Sequence, residues 1–442
     1  MLKYLVIMNI FIVIVLFLVG ANRSSTFVIK DVLIEGPDDY GLSLSIDNSG
    51  KVYVLGDSNN GRRSVVYISR FNSDGSVDRA FGNEGKVIFK SIAGGSWDKT
   101  YLSCLYVNKD KIYITGESMN SSSDYDAFVI KLNSNGSLDS TFANGGILLL
   151  NNLAGGQWDD FGRAIYFHEK IYLAGKSWNT QKDNGNTDVF VVRINNDGSI
   201  DRSFGKDGKV LLNSIAGGDW DDDVFTLQVD NRGKAYIGGT SWNGKGENSG
   251  IDGYVIRLNS TGILDESFGK GGTVILKNIV PNSLDTYVYH ILVSEYGGIY
   301  ACGDTWDQIR KTGFIVKLKD DGSFDKNFAN NGVCIIDGVA SGSGDNLVRK
   351  VAVDNKNRLY VIGSSYNGKD SDAYILRLDS SGKIDKSFGK DGKMIFDFVS
   401  GNEDVGLSFD ISKTGLIFLT GWSRKNESDT DSFLIRIENP DN

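Results

Sequence analysis

The stretch whose reading decides the fold is "NNDGSIDRSFGKDGKV", Asn195 to Val210. Alone it looks like a calcium loop or a phosphate-binding turn, with Asp197, Asp201 and Asp207 at short spacing and glycines between them. It is one of six copies, whose first glycines are Gly75, Gly136, Gly198, Gly262, Gly322 and Gly382, 60 to 64 residues apart. In every copy a Lys or Arg lies five residues before that glycine. An aspartate lies three after it (Asp78, Asp139, Asp201, Asp265, Asp325, Asp385) and a phenylalanine six after it (Phe81, Phe142, Phe204, Phe268, Phe328, Phe388). The other acids drift: Asp197 becomes Asn, Thr or Ser, and Asp207 becomes Glu, Gly or Asn. A calcium loop needs its oxygen ligands at set positions, so the motif reads as structure, with no metal. Glycine supplies the turn, and the preceding Asp or Asn bonds its own backbone. Asp201 is expected to meet Arg193, and Phe204 to fill the gap between neighbouring units.

Working outward, each unit holds three runs of period-two alternation, such as "VFTLQV" (224–229), "KAYIGG" (234–239) and "DGYVIRL" (252–258). Alternation rich in Val, Ile, Tyr and Phe means strands. The "KVLL" run adds a fourth, the size of one propeller blade. The second run recurs seven times, closing at Gly56, Gly116, Gly175, Gly239, Gly303, Gly363 and Gly421. The last copy has no fourth run, whereas "TFVIKDVLIEGPDDYGLSLSID" from Thr26 aligns with "GKVLLNSIAGGDWDDDVFTLQV". The expectation is an all-β, seven-bladed β-propeller of four-stranded antiparallel blades over residues 26–439. The N-terminal strand, around Phe27 to Ile29, would complete the last blade beside Phe433 to Ile437 and cover an edge open to aggregation.

The G-x-x-D-x-x-F-[GA]-x-x-G core, in units of about sixty residues from Thr26 to about Asn439, resembles the delta-60 repeat family of secreted or surface bacterial proteins. That resemblance implies a β-propeller and export. The family has no common activity to carry over.

Composition agrees: 40% hydrophobic and 23% charged residues are a globular balance, and 54 Gly against 3 Pro suit many tight turns. A net charge of −9 argues against a nucleic-acid partner, which needs clustered Lys and Arg. The N-terminus "MLKYLVIMNIFIVIVLFLVGANRSS" has Lys3, an apolar run from Leu5 to Ala21 broken only by Asn9, and small residues Val19-Gly20-Ala21. Residues 1–21 read as a signal peptide and 22–25 as a short linker. An uncleaved anchor is the alternative, at the short end of a bilayer span, and membrane contact is expected only in that case. Either way the folded part is exported: secreted, periplasmic or at the cell surface. A monomer is expected. Cys104, Cys302 and Cys334 are too few for a disulfide framework or a zinc site. Cys302 and Cys334 fall on the second and fourth strands of one blade, roughly 10 Å apart at about 4.8 Å per strand. That is beyond a disulfide's reach.

Strand alternation sorts the loops onto two faces. The motif turns have fixed length and share one face; the second-to-third loops on the other vary, as between Gly56–Ser64 and Gly239–Asp252. Insertions confined to one face mark a binding face. That face carries Trp97, Trp158 and Trp220 in "AGGSWDK", "AGGQWDD" and "AGGDWDD", and Trp178, Trp242, Trp306 and Tyr366 after the second strand. Asp159, Asp221, Asp285 and Asp345 precede first strands; Asp126, Asp188, Asp252, Asp372 and Asp431 open third strands. The candidate ligand-binding residues are those seven rings with Asp188 and Asp252: flat rings to stack on a sugar or peptide, carboxylates for its hydroxyls. The competing reading packs the rings between blades and uses the acids as turn caps.

For catalysis the sequence offers little. His168 lies in a hairpin turn away from the tryptophans, His290 lies mid-strand, and no Ser-His-Asp order, zinc spacing or phosphate loop is visible. No cofactor is implied. Three functions remain: an exported module binding a protein or glycan, a carbohydrate hydrolase or lyase using carboxylates near the central channel, and a purely structural surface protein. Exposed rings on several blades favour the first, asymmetric acids in one pocket the second, and buried Trp178, Trp242 and Trp306 the third.

Overall fold

The computed structural model describes residues 38–101, 104–108, 110–179, 185–244, 250–398, 402–426 and 429–438. The segments read as signal peptide and linker, and the strand expected at Phe27 to Ile29, lie outside them. Among the described residues every regular element is a strand.

The unit containing the opening stretch's neighbour shows the pattern. Asp222–Val229, Ala235–Trp242, Ile251–Leu258 and Thr273–Leu276 pair antiparallel in chain order. The first turn is set by Asp230, whose Oδ1 accepts from the backbone of Arg232 and Lys234, and by Gly233 at φ 75°. The same four-strand order recurs in the sheets beginning at Asp38, Gly155, Asp285 and Asn346. In the sheet beginning at Gly94 the first strand comes in two pieces, Gly94–Lys99 and Leu105–Asn108. The last described strands, Asp404–Ile411, Ile417–Asn426 and Asp429–Ile437, form a three-stranded sheet.

First strands of successive sheets touch side by side. Ile291 N donates to Thr226 Oγ1 at 3.2 Å and Val293 N to Gln228 Oε1 at 2.8 Å. The first and last sheets meet in the same way: Leu44 N donates to Ser408 Oγ and Ile46 N to Asp410 Oδ2, both at 3.0 Å. A parallel bridge joins Asp38 to Thr430, and Leu44, Val54 and Phe71 share an apolar cluster with Phe418 and Leu434.

The repeated motif is the joint between sheets. Phe204 is fully buried in a cluster that takes Val189 and Val191 from its own sheet and Ile237 and Tyr254 from the next. Burial of such a ring stabilises by about 1.5–3 kcal/mol. Asp201 Oδ2 is held by Arg193 Nε and Lys170 Nζ, each at 2.6 Å. The sequence pattern predicted the first cation; the second, from the start of the second strand, recurs as Lys51, Lys111 and Lys234. Just past the phenylalanine, Gly205 N donates to Thr261 O of the next motif at 2.8 Å. Gly82, Ala143, Gly269 and Ala329 do the same to Asn135, Asp197, Asp321 and Ser381. Gly262, at φ 86°, must be glycine, because a Cβ there would lie 2.6 Å from Gly205 N.

Candidate functional site on the variable-loop face

The register places the end of each second strand, the start of each third and the start of each first at one end of the sheets, as with Trp242 opposite Ile251 and Asp222 opposite Ser241. The candidate rings therefore share one face. Trp158 and Trp220 are 53% and 54% exposed. Trp97, Trp178, Trp242, Trp306 and Tyr366 are half-buried. Trp220 and Trp242 form a tilted pair, ring centroids 6.3 Å apart.

Trp97 requires a correction. The sequence aligned it with Trp158 and Trp220, but Asp98 pairs with Ser118 as Asp160 does with Ser177 and Asp222 with Ser241. Trp97 thus occupies the place of Asp159 and Asp221, because the loop before it is one residue shorter. It bridges Ser64 of the preceding sheet, and Lys99 Nζ lies 5.9 Å from its ring centroid.

The repeated acids serve the scaffold. Asp159, Asp221, Asp285 and Asp345 each accept a backbone N–H from the third strand of the preceding sheet: Tyr125 at 2.8 Å, Thr187 at 2.7 Å, Ile251 at 3.0 Å and Lys311 at 2.8 Å. Asp126 and Asp252 are buried and accept from Asn120 and Asn243, where the second strand ends, at 3.0 and 2.9 Å. Asp188 is buried likewise and bonded by Asn179. Burial raises all three carboxyls, opposed by those asparagine bonds. Asp188 and Asp252 hold the asparagine that follows each tryptophan and do not lie on the open surface.

Beneath the rings lies a second set of residues outside the repeated motif. At most first strands the register skips one residue, leaving Leu42, Arg163, Phe225, Tyr289, Arg349 and Leu407 as bulges. Bulges re-aim side chains and cluster near functional sites. Beside them stand the residues that follow each second-strand glycine: Asp57, Glu117, Lys176, Thr240, Asp304, Ser364 and Trp422. Both columns change chemistry from unit to unit while the motif stays fixed. That contrast was the signal available in the sequence.

These residues make a polar arc along the first strands. Arg163 lies 3.6 Å over the Tyr101 ring, with Nη1 3.6 Å from Glu117 Oε2 and Nε 3.8 Å from Asp223 Oδ1. Lys176 Nζ reaches Asp223 Oδ2 at 2.6 Å. Further round, Arg349 stacks 4.2 Å over Tyr289 and binds Asp304 Oδ1 at 3.0 Å, while Phe225 abuts Tyr289. Glu117 Oε2 and Asp304 Oδ2 are buried without a hydrogen bond from the described residues. Burial raises the Glu117 carboxyl, opposed by Arg163. Burial pushes Asp57 up to about 7, with Lys99 opposing and Glu117 and Asp39 adding to the rise. The last sheet faces the same level with Val405, Leu407 and Trp422, so the arc is one-sided. Apart from the arc, a cavity of about 430 Å³ opens beside Arg62, Arg63 and Lys90.

His168 sits at the hairpin opposite Lys170, and His290 is buried on a first strand, held well below its usual range by burial and by Lys350. Cys104, Cys302 and Cys334 are buried free thiols, and Cys302 and Cys334 lie on either side of Ile315 in register.

The fold and its repeated joint define a β-propeller repeat protein. Residues 48–81, 110–142, 170–204, 233–268 and 357–388 match the family model described as "Domain of unknown function (DUF5122) beta-propeller", so these five segments carry that repeat. The model does not bear the delta-60 name, but it agrees with a β-propeller repeat family. No curated protein matches the sequence. Among solved structures, a polysaccharide lyase, PL25-Ulvanlyase bound to -[GlcA(1-4)Rha3S]-, is similar in fold. Its TM-score is 0.53 at 11% identity, covering 91% of this chain and 95% of that one. Sqt1 of Chaetomium thermophilum has a TM-score of 0.48 at 10% identity, covering 91% and 96%.

Proposed function

We propose that the chain is an exported, seven-bladed β-propeller, closed by its N-terminal segment as the outermost strand of the last blade. It acts as a binding module that engages a glycan or protein partner on the variable-loop face. The observation that carries this reading is the pair of half-exposed indoles, Trp158 and Trp220, on successive sheets, with Trp242 at 6.3 Å from the second. Large apolar rings left in water at the ends of strands, over acids already committed to the scaffold, are the arrangement of a stacking platform. Export rests on the N-terminal apolar run, and closure on the contacts of Leu44, Ile46 and Asp38 with the last sheet. The test is a glycan array and a pulldown with the full-length chain, repeated with Trp220→Ala. Loss of at least tenfold in binding is expected, with an unchanged melting temperature. Unchanged binding would remove the aromatic platform.

A second reading, a carboxylate-dependent carbohydrate hydrolase or lyase, is favoured by the one-sided polar arc. Acids with raised pKa beside arginine–tyrosine stacks are the groups such chemistry uses. A shared fold does not choose between the two readings, since function resides in the site. Turnover of a polysaccharide abolished by Glu117→Gln but not by Trp220→Ala would decide for the enzyme.

A further inference from the structure

We propose that Asp372, Asp397 and Asp404 form a binding site for one divalent cation of the Ca²⁺ class, at the boundary between the sheet beginning at Asn346 and the last sheet.

One carboxylate oxygen from each of the three lies within 4.8 Å of the others. Two oxygens bound to one Ca²⁺ at about 2.3–2.6 Å stand at most about 5 Å apart, whereas Mg²⁺ at about 2.1 Å demands about 4.2 Å or less. The 4.8 Å limit lies within the reach of Ca²⁺, and three carboxylates suit it better than Mg²⁺, which keeps several waters and usually takes one or two carboxylates. Asp372 is 5% exposed; its Oδ2 accepts from Asn367 Nδ2 at 3.0 Å, and its Oδ1 is buried with no hydrogen-bond partner. Among the described residues neither Asp372 nor Asp397 has an ion-pair partner. A buried carboxylate with an unpartnered oxygen, grouped with two further carboxylates, is costly unless a cation neutralises it. Asp404 is fully buried and fixes the turn by accepting from Phe398 N at 2.9 Å. Asp397 is exposed, so the site opens to solvent and leaves room for water ligands.

Comparison with the other sheets shows that the three carboxylates together are peculiar to this boundary among the described ones. Asp126 and Asp160 are accompanied by Asn151, and Asp188 and Asp222 by Asn213. Asp252 is matched with Lys277 and Thr286, and the lysine lowers the Asp252 carboxyl against the raising effect of burial. At the boundary after the fifth sheet, Asn346 Nδ2 donates to Asp337 Oδ1 at 3.0 Å, with Thr312 in place of the first acid. At each of these positions a residue other than aspartate replaces at least one member of the trio.

Calorimetric titration of Ca²⁺ into the chelator-treated full-length chain is expected to reveal one site per chain, with Mg²⁺ at least tenfold weaker. Asp397→Asn, an exposed change, should weaken Ca²⁺ at least tenfold. Asp337→Asn, the same change of charge one sheet earlier, should leave it unaltered. Ca²⁺ should also raise the melting temperature of the wild type and not of Asp397→Asn. No saturable Ca²⁺ binding by the wild type, or equal losses in the two variants, would overturn the site, and Mg²⁺ binding as tightly would overturn its assignment to the Ca²⁺ class.

Discussion

Asp57 shows how one position can leave the repeat and acquire chemistry. It follows a second-strand glycine, pairs with Tyr40 in register and shares its surroundings with Glu117, Asp39 and Lys99. Burial, with the two acids adding, raises its carboxyl from 3.8 to about 7. The folded chain therefore holds a proton there that the unfolded chain releases, and stability falls as pH rises from about 4 to about 7. Asp57→Asn removes that slope. The variant is expected to gain melting temperature on the wild type progressively between pH 4 and pH 8, with the gap constant above. Thermal unfolding at a series of pH values checks this; a gap of the same size at pH 4 and pH 8 would mean that Asp57 titrates normally.

The motif turn is the element on which the architecture depends, and its acid behaves in the opposite way. Burial opposes ionisation of Asp201, but bonds from Lys170, Ser203 and Arg193 outweigh it and hold the carboxyl well below the usual range. Asp139 and Asp265 are lowered by the same kind of shell. Their contribution is present above the ordinary carboxylate pKa of about 4 and is lost as pH falls below it. Asp201→Ala leaves Arg193 without its carboxylate in a part-buried turn and should cost about 3 kcal/mol at pH 7. The loss should shrink toward pH 2. Denaturant titrations at pH 7 and pH 3 measure both, and an equal loss at the two would show that the turn, not the charge, was damaged.

Across the whole molecule each sheet is tied mainly to its neighbours, so stability should behave as a sum of local joints. The joint between first and last sheets differs only in joining residues far apart in sequence. Asp410 accepts from Ile46 N and Ile411 N and lies near Lys350. Asp410→Ala would orphan the Ile46 N–H and uncover the Lys350 ammonium, costing about 1–3 kcal/mol. Hydrogen exchange is expected to quicken at residues 44–46 and 417–421 and to stay unchanged at 235–242. Uniform quickening throughout would contradict joints that open independently.

Much of this was written in the chain. The six copies around Gly198 and the alternating runs determined strands, their order in each sheet, the Asp201–Arg193 pair and the burial of Phe204. Each follows from local geometry: a strand's period is two, and a turn's glycines and acids lie within a few residues. Three things were decided only when the sheets came together. Trp97 lost its place beside Trp158 and Trp220 because a one-residue difference in loop length shifts register, and only pairing reveals register. Asp188 and Asp252 were drawn inward because Asn179 and Asn243, at the close of the second strand, were there to bind them. The polar arc and the Asp372–Asp397–Asp404 cluster assemble single residues from different strands or sheets. Their chemistry depends on distances across the fold, which spacing along the chain does not encode.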